Sequence, residues 1–405
     1  MNNIIYLSSI FPLENRQFFI DNSKGAISNA NDSLQGAILQ GFKSNNCEVS
    51  ILNVPNIGAF PKRFKKLNSI AFKFTEESYF KGYNIGFCNL QLIKHIFIEN
   101  NIRNYILSNV ELIKKSNLIF IYDLYPPFLN VVQLLKNVNN NCKIIVMVPD
   151  IIGFTSDKTG FIHKNLKHRA IRSLMKASEA IDGFIYLTEK MREILPGKIR
   201  NKPFLVIEGI LNSNNILYNK KDIENKYIFY SGSLDVRHGI LNLVEAYINA
   251  NIDDSIELHI CGDGDGKKSF LDKIENNASI KYCGQISRDE VIKKQAEAFL
   301  LINPRNSSGE FTKYSFPSKV IEYFLSGTPT FMYKLEGIPR EYFEHCFTLE
   351  DESIKSLTKF LEKLPLMDRQ KLRERGASAR AFVLEQKNPL NQVNKIINFY
   401  NSLIV

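Results

Sequence analysis

The sequence predicts an α/β protein built from two Rossmann-like domains facing a central cleft, and three observations carry that expectation. At 405 residues the chain is too long for one ordinary core, which points to two domains of roughly 150 to 200 residues each. Short apolar, β-rich runs alternate with helical patterns, the signature of a parallel sheet covered by helices. This alternation occurs twice, on either side of a polar stretch, "LNSNNILYNKKDIENK".

In the first series, "NIIYLSS" (3–9), "CEVSILNV" (47–54), "NLIFIYD" (117–123), "KIIVMVPD" (143–150) and "GFIYLT" (183–188) read as strands buried on both faces. "DSLQGAILQGFKSN" and "RAIRSLMKASEAI" read as helices between them. The second series runs "YIFYSGS", helix "GILNLVEAYINA", "IELHICGDGDG", helix "KKSFLDKIENN", "SIKYCGQ", helix "RDEVIKKQAEA", "FLLINP" and a last helix in "FPSKVIEYFLSG". The predicted domains are residues 1–205 and 206–389. The C-terminal helix, 390–405, is expected to cross back to the first domain.

Composition excludes several classes of protein. With 44% hydrophobic and 23% charged residues the chain is neither disordered nor fibrous. No apolar run approaches the roughly 18 to 20 residues that span a bilayer, and "MNNIIYLSSIFPLENR" lacks the basic start of a signal peptide. A cytoplasmic protein is expected. Six scattered cysteines without a Cys-x-x-Cys pair suggest neither a zinc site nor a disulfide framework. The net charge of +10 is partly clustered in "FPKRFKKLNSIAFKF" (60–74) and "HKNLKHRAIRSLMK" (163–176). Basic residues interleaved with apolar ones suit an anionic membrane surface, although a solvated face accounts for either stretch alone. No nucleic-acid-binding motif is present, so nucleic acid is not an expected partner.

The residues best placed for chemistry lie where the last predicted helix opens. A helix N-terminus offers unpaired amides and the positive end of the macrodipole to an anion. Pro317 suits the first turn. At 100° per residue Ser318, Lys319, Glu322 and Tyr323 share a polar arc, and Val320, Ile321, Phe324 and Leu325 share an apolar one. Asp150 and Asp123 stand at strand ends, where orienting a substrate and capping a turn are equal accounts. His95, His163, His168 and His345 show no metal or triad spacing and read as structural or surface residues.

"FPSKVIEYFLSGTPT", with "YSGSLDVRHGILNLVEAY", "ELHICGDGDG" and "IKYCGQISRDEVIKKQAEAFLLINP", resembles the C-terminal donor domain of bacterial family 4 glycosyltransferases of the GT-B fold. The likeness is to the branch that builds capsular, exopolysaccharide or O-antigen repeat units. It implies that Glu322 holds the ribose of a nucleotide. The family's earlier glutamate is replaced by Tyr314, which makes Glu310 the candidate acid facing the transferred sugar. In the phosphate loop, Gly232 to Gly239, Ser233 stands where arginine is common and His238 where lysine is common. The cationic charge is therefore assigned to Arg237, Lys319 and Arg305. Gly262 and Gly264 form the turn that lets the nucleotide approach. Asp263 and Asp265 spell an Asp-x-Asp, but at a strand-to-helix turn they read as solvated acids rather than metal ligands. Asp150 is the first domain's candidate for orienting sugar or acceptor.

The resemblance implies a retaining, metal-independent transfer of a sugar, with no cofactor, from a nucleotide-diphosphate sugar, UDP-linked by expectation. The implied acceptor is a saccharide on a polyprenyl diphosphate at the cytoplasmic membrane face. A nucleotide-sugar epimerase or hydrolase of the same fold, or a catalytically silent partner subunit, remains open at this stage.

Overall fold

The computed structural model describes residues 3–25, 29–77, 79–91, 93–151, 161–211, 227–252 and 256–404, the side chains at 29 and 161–167 excepted. The chain divides into two compact units, residues 1–212 with 389–405, and residues 213–388. The predicted polar linker falls mostly outside the described residues.

In the first unit eight strands form one sheet in the order Phe204–Val206, Gly183–Tyr186, Lys143–Val148, Leu118–Tyr122, Asn3–Ser8, Glu48–Asn53, Phe80–Asn84 and Phe72–Glu76. Every neighbouring pair is parallel except the last. The central strands are buried along their whole length, which is why they read as uninterrupted apolar runs. Phe120 anchors one face, with Tyr6 edge-on at 5.3 Å and Phe42 edge-on at 5.7 Å. The helix Asn29–Ser44 packs against the C-terminal helix Pro389–Ser402. Their approach is close because a Cβ at Gly41 would collide with Val393 and the Pro389 carbonyl. Gln392 Nε2 donates to the Gly209 carbonyl at 2.7 Å, and Val393 and Ile396 are fully buried. The C-terminal helix thus returns to the first unit.

The antiparallel edge pair corrects the reading of residues 60–74. Phe64 and Phe74 are core residues and Phe72 packs against the core. Lys62, Arg63, Lys65 and Lys66 remain exposed around the buried Phe64. The alternation Phe-Lys-Phe-Thr-Glu is a half-buried edge strand, whose period of two hides among basic residues. The other basic stretch lies on the helix Phe161–Ala177, and its side chains through 167 lie outside the described residues.

In the second unit five parallel strands run in the order Ile280–Tyr282, Glu257–Cys261, Tyr227–Ser231, Leu300–Asn303 and Thr330–Met332. The helices Ile240–Ala250, Lys267–Ile274 and Arg288–Glu297 fall where periodicity placed them. The last predicted helix begins at Lys319 rather than at Phe316, because Phe316 and Pro317 complete the preceding loop. It ends at Gly327, which takes the left-handed conformation that glycine adopts at no steric cost. One side chain departs from the predicted polar arc. Tyr323 is fully buried, and its hydroxyl receives the Ser231 amide at 3.1 Å.

Candidate functional site

The second unit's sheet starts at its middle strand, Tyr227–Ser231, grows outward on one side and then resumes on the other with Leu300–Asn303. Such a reversal of strand order is where open α/β sheets bind ligands, at the carboxyl edge between the two neighbouring strands. The loop after Ser231 is held by its own backbone. The Gly232 amide donates to the Cys261 carbonyl at 3.0 Å and the Leu234 amide to the Asp263 carbonyl at 3.0 Å. Gly262 and Gly264 stand where a Cβ would overlap the backbone of Gly232 and Leu234. The two predicted glycine turns are therefore one packed layer.

Four basic side chains gather over that layer. Lys319, from the first turn of its helix, lies over the Tyr230 ring at 4.3 Å and donates to its hydroxyl at 3.2 Å. A Cβ at Gly232 would collide with the Lys319 ammonium, so glycine keeps the lysine against the loop. Arg305, at 8% exposure, lies over the Phe311 ring at 4.5 Å and donates to Ser315 Oγ. Its buried Nε has no hydrogen-bond partner. Arg237 faces the same ring at 5.2 Å and is gripped by Asp235 through Nε at 3.0 Å and Nη2 at 2.5 Å. His238 is half-buried, with its ring 6.3 Å from Phe311.

The electrostatics show strain among like charges. Burial pushes the Lys319 ammonium down to about 7, and Arg305 adds to the shift. Burial lowers Arg305 to about 10, with Arg237 contributing. His238 falls to about 4 through burial, Lys319 and Arg305, and so is neutral near pH 7. Asp235, held at about 2 by the Arg237 hydrogen bonds, lies close against the cluster, and Glu322 partly offsets the shift at Lys319. A buried crowd of cations above a glycine loop is costly without an anion and favourable with one.

The remaining predicted residues take varied places. Glu322 is half-buried one turn beyond Lys319, and its Oε1 accepts from Arg288 Nη2 at 2.8 Å. Ser318 is exposed at the helix start and makes no side-chain cap. Glu310 is exposed at the head of the short 3-10 turn Glu310–Tyr314, next to the Phe311 ring that touches both arginines. Tyr314 is half-buried at the end of that turn. Ser233 supplies the carbonyl that receives Tyr230 Oη at 2.7 Å. Asp263 accepts from the Gly264 amide at 3.0 Å and lies 3.7 Å from Lys267 Nζ. Among the described residues no three His, Cys, Asp or Glu side chains cluster as a metal site. Arg288 and Asp235 were not singled out from the sequence. The signal for Arg288 was the capping box Ser287–Glu290, which sets it in the first turn of its helix.

Asp150 lies in the first unit, exposed just after the strand Lys143–Val148. It belongs to a second polar locus at the carboxyl edge of that unit's own sheet, where the chain reverses between Asn3–Ser8 and Leu118–Tyr122. A cavity of about 220 Å³ opens there, lined by Ser9, Lys94, His95, Tyr122, Asp123 and Tyr125 among others. Asp123 holds a left-handed backbone (φ 79°), uncommon for a residue other than glycine. Its carboxyl is pushed up to about 6 by burial and by Asp150. His95, read from sequence as structural, lines this cavity and is lowered to about 4 by burial and Lys94. Lys94 is lowered to about 8 by burial and donates to the Ile57 carbonyl at 2.6 Å.

Residues 216–381 match the family model described as "Glycosyl transferases group 1". No curated protein matches the chain in sequence. Among solved structures, sucrose-phosphate synthase from Thermosynechococcus elongatus aligns at TM-score 0.65 and 12% identity over 100% of this chain and 99% of that one. Anabaena HepE in complex with UDP aligns at 0.60 and 13% identity, over 99% and 100% of the two chains. The E. coli trehalose-6-phosphate protein bound with UDP-2-fluoro glucose aligns at 0.60 and 11% identity, over 98% and 99%. At such identities the likeness establishes the fold: two Rossmann-like α/β units, the GT-B architecture. The family-model match lies within the second unit, residues 213–388.

Proposed function

We propose that this protein transfers a glycosyl group from a nucleoside-diphosphate sugar, UDP-linked, to a saccharide acceptor, with retention of anomeric configuration. The observation that carries the reading is the convergence of Lys319, Arg305 and Arg237 on the glycine layer at the second unit's switch point. The group 1 match over this unit supports it, as do the UDP and UDP-sugar complexes of the fold neighbours.

In this reading the diphosphate lies on the Gly232 loop, where amides and cations stabilise the charge that grows as the bond from the anomeric carbon to phosphate oxygen breaks. Arg305 Nε, buried without a partner, gains one from a phosphate oxygen. Lys319 regains its full charge beside the anion. The acceptor hydroxyl attacks the anomeric carbon from the face the leaving group departs, and its proton passes to a diphosphate oxygen. No protein nucleophile takes part. Glu322 receives the ribose hydroxyls, with Arg288 holding its carboxylate in place, and Glu310 meets the transferred sugar.

The first unit's cavity suits the hydroxyl-bearing saccharide of the acceptor, because the Asp123 carboxyl and the Lys94 amine offer it hydrogen-bond partners there while His95 stays uncharged. We assign the acceptor to a polyprenyl-diphosphate-linked saccharide in surface-polysaccharide assembly, at the inner membrane face. The resemblance to the repeat-unit branch supports this assignment. No described helix is long and apolar enough to cross a membrane, so any attachment of the described residues through a helix is peripheral.

A thermal-shift series against UDP-, GDP-, ADP- and dTDP-sugars tests the proposal. Stabilisation by one class that follows RT ln(1 + [L]/Kd) is the expected result. Absence of a shift with every nucleotide sugar, confirmed by calorimetry with the free nucleoside diphosphates, would overturn it. A donor that binds and is isomerised or hydrolysed without acceptor would identify an epimerase or hydrolase instead.

A further inference from the structure

We infer that Cys261 and Cys283 form an oxidisable dithiol, a modification site at the root of the glycine layer where a hydroperoxide closes a disulfide and weakens nucleotide binding. The site stands on the second unit's own geometry, and only its effect on binding rests on the transferase reading.

The two cysteines are scattered in the sequence and meet in the fold. The strands Glu257–Cys261 and Ile280–Tyr282 run parallel, with Leu258 opposite Ile280 and Ile260 opposite Tyr282, so the next rung sets Cys261 against Cys283. The Cys283 amide continues the ladder by donating to the Ile260 carbonyl at 2.9 Å. Residues opposite one another in register project to the same face of a sheet. Cys283 accordingly packs against the buried cluster that contains Cys261, Tyr227 and Tyr323. Both are free thiols, Cys261 buried and Cys283 half-buried. Neighbouring strands lie about 4.8 Å apart, within the Cα separation that a disulfide bridges. Its Cβ atoms must come closer still, to about 3.8 Å. Each cysteine is followed by a glycine at positive φ, Gly262 at 137° and Gly284 at 69°. Gly262 is pressed on Gly232, whereas a Cβ at Gly284 would meet nothing within 4 Å, so the Cys283 end of the rung is the one with room to move.

Electrostatics divides the roles within the pair. The hydrogen bond between the two thiols lowers Cys283, with Lys294 adding to the shift, and raises Cys261, which burial raises further. Burial holds Cys47, Cys142 and Cys346 above the ordinary thiol range. Oxidation follows thiolate character and exposure, which favours Cys283 as the attacking sulfur. Its thiolate attacks the peroxide oxygen, the O–O bond breaks, and the alkoxide or hydroxide released takes up a proton. Cys261 sulfur then attacks the Cys283 sulfenic acid, the S–S bond forms, and hydroxide leaves as water with the Cys261 proton. Two thiols give up two electrons and two protons, and the peroxide takes both pairs. The new bond sits where the glycine turns are tied together. The Cys261 carbonyl receives the Gly232 amide at 3.0 Å, the Gly284 carbonyl receives the Gly262 amide at 2.9 Å, and the Gly262 carbonyl receives Tyr282 Oη at 2.9 Å. Drawing Cys283 onto Cys261 shifts these turns and, through the Cys261 carbonyl, the Gly232 loop beneath Lys319.

The test treats the reduced full chain with hydrogen peroxide, alkylates the remaining thiols in denaturant and maps the peptides by mass spectrometry. A Cys261–Cys283 linkage is expected, with Cys47, Cys142 and Cys346 recovered as alkylated thiols. In Cys261→Ser the reaction should stop at a Cys283 sulfenic acid, trapped by dimedone. Calorimetry with UDP, GDP, ADP and dTDP on the same preparations reads the effect on binding. Oxidation should weaken the nucleotide that binds by about tenfold, the scale of one displaced hydrogen bond. Dithiothreitol should restore it, and Cys283→Ser should bind like the reduced wild type before and after peroxide. Absence of the linkage in the wild type, or sulfenic acid elsewhere than Cys283 in Cys261→Ser, would overturn the site. Unchanged affinity after complete linkage would overturn its effect on binding. A reduced chain that binds none of the four nucleotides sinks the transferase reading alone, because peptide mapping reads the thiol pair without nucleotide.

Discussion

At the carboxyl edge of each sheet the chain reverses beside its first strand, yet the two reversals hold different chemistry. The second unit gathers Lys319, Arg305 and Arg237 over glycines, with one acid, Asp235, neutralising one guanidinium. The first gathers Asp123, a neutral His95, Tyr122 and Tyr125, with a single lysine, Lys94, around a cavity of about 220 Å³. The shared reversal thus supplies a place and not a ligand. In the second unit, glycine loops press so close that backbone amides and cations can surround an anion. After Leu118–Tyr122 the first has a left-handed aspartate, where the corresponding strand Leu300–Asn303 of the second is followed by Pro304, and so the first presents a carboxyl group to whatever enters. In the proposed reading one edge takes a diphosphate and the other hydroxyl groups.

The largest effect that would break this contrast belongs to Lys319. Lys319→Met should lower turnover with a nucleotide sugar by about a hundredfold or more, the scale of removing one charge-stabilising donor, while circular dichroism shows an unchanged fold. Turnover within a few-fold of wild type would show that the cations are structural.

A crossed pair of variants sharpens the division of labour. Glu322→Gln should weaken nucleoside-diphosphate binding about tenfold, the loss of one charged hydrogen bond, and leave the acceptor KM unchanged. Asp123→Asn should do the reverse, raising the acceptor KM about tenfold with nucleotide affinity intact. If both variants moved both constants equally, the two edges would not hold separate ligands.

The smallest effect is on pH. Lys319 sits at about 7 before ligand binds, so it is charged below that value and neutral above it. Nucleoside-diphosphate affinity should therefore fall severalfold as pH rises from about 6 to 9, and the fall should vanish in Lys319→Met. Stability without ligand carries the opposite sign. Between about 7 and 10.5 the unfolded chain keeps the proton that the folded lysine has released, so wild-type stability relative to Lys319→Met rises with pH across that window. Parallel calorimetric and denaturation series check both slopes.

How far these features could be read from the sequence follows from their range. The parallel strands were legible because burial on both faces leaves a continuous apolar run, as in "LIFIY" and "IIVMV". The strand Phe72–Glu76 was not, since an antiparallel edge shows one face to water and its two phenylalanines sit between lysine and threonine. Lys319 and Glu322 were legible from helical spacing and the resemblance. The helical wheel puts Tyr323 on the polar arc, although it is buried, because a wheel counts angles and does not know that Ser231, 92 residues earlier, presents an amide there. The Arg288–Glu322 pair spans 34 residues and two helices, with no periodicity to announce it. His95 was dismissed for want of partners in sequence. Its neighbours in the cavity come from three other loops.

By itself the sequence determined what depends on near neighbours: the alternation of strand and helix, the glycines where no Cβ fits, and a chain with ten more basic than acidic charges. Backbone dihedrals and side-chain burial repeat every two or 3.6 residues, so such features are written locally. Tertiary structure alone decided which charges meet, because Coulomb energy depends on distance in space, and strand order sets that distance. It brought Arg305 beside Lys319, set Arg288 on Glu322 and turned Phe64 inward so that four flanking cations face out.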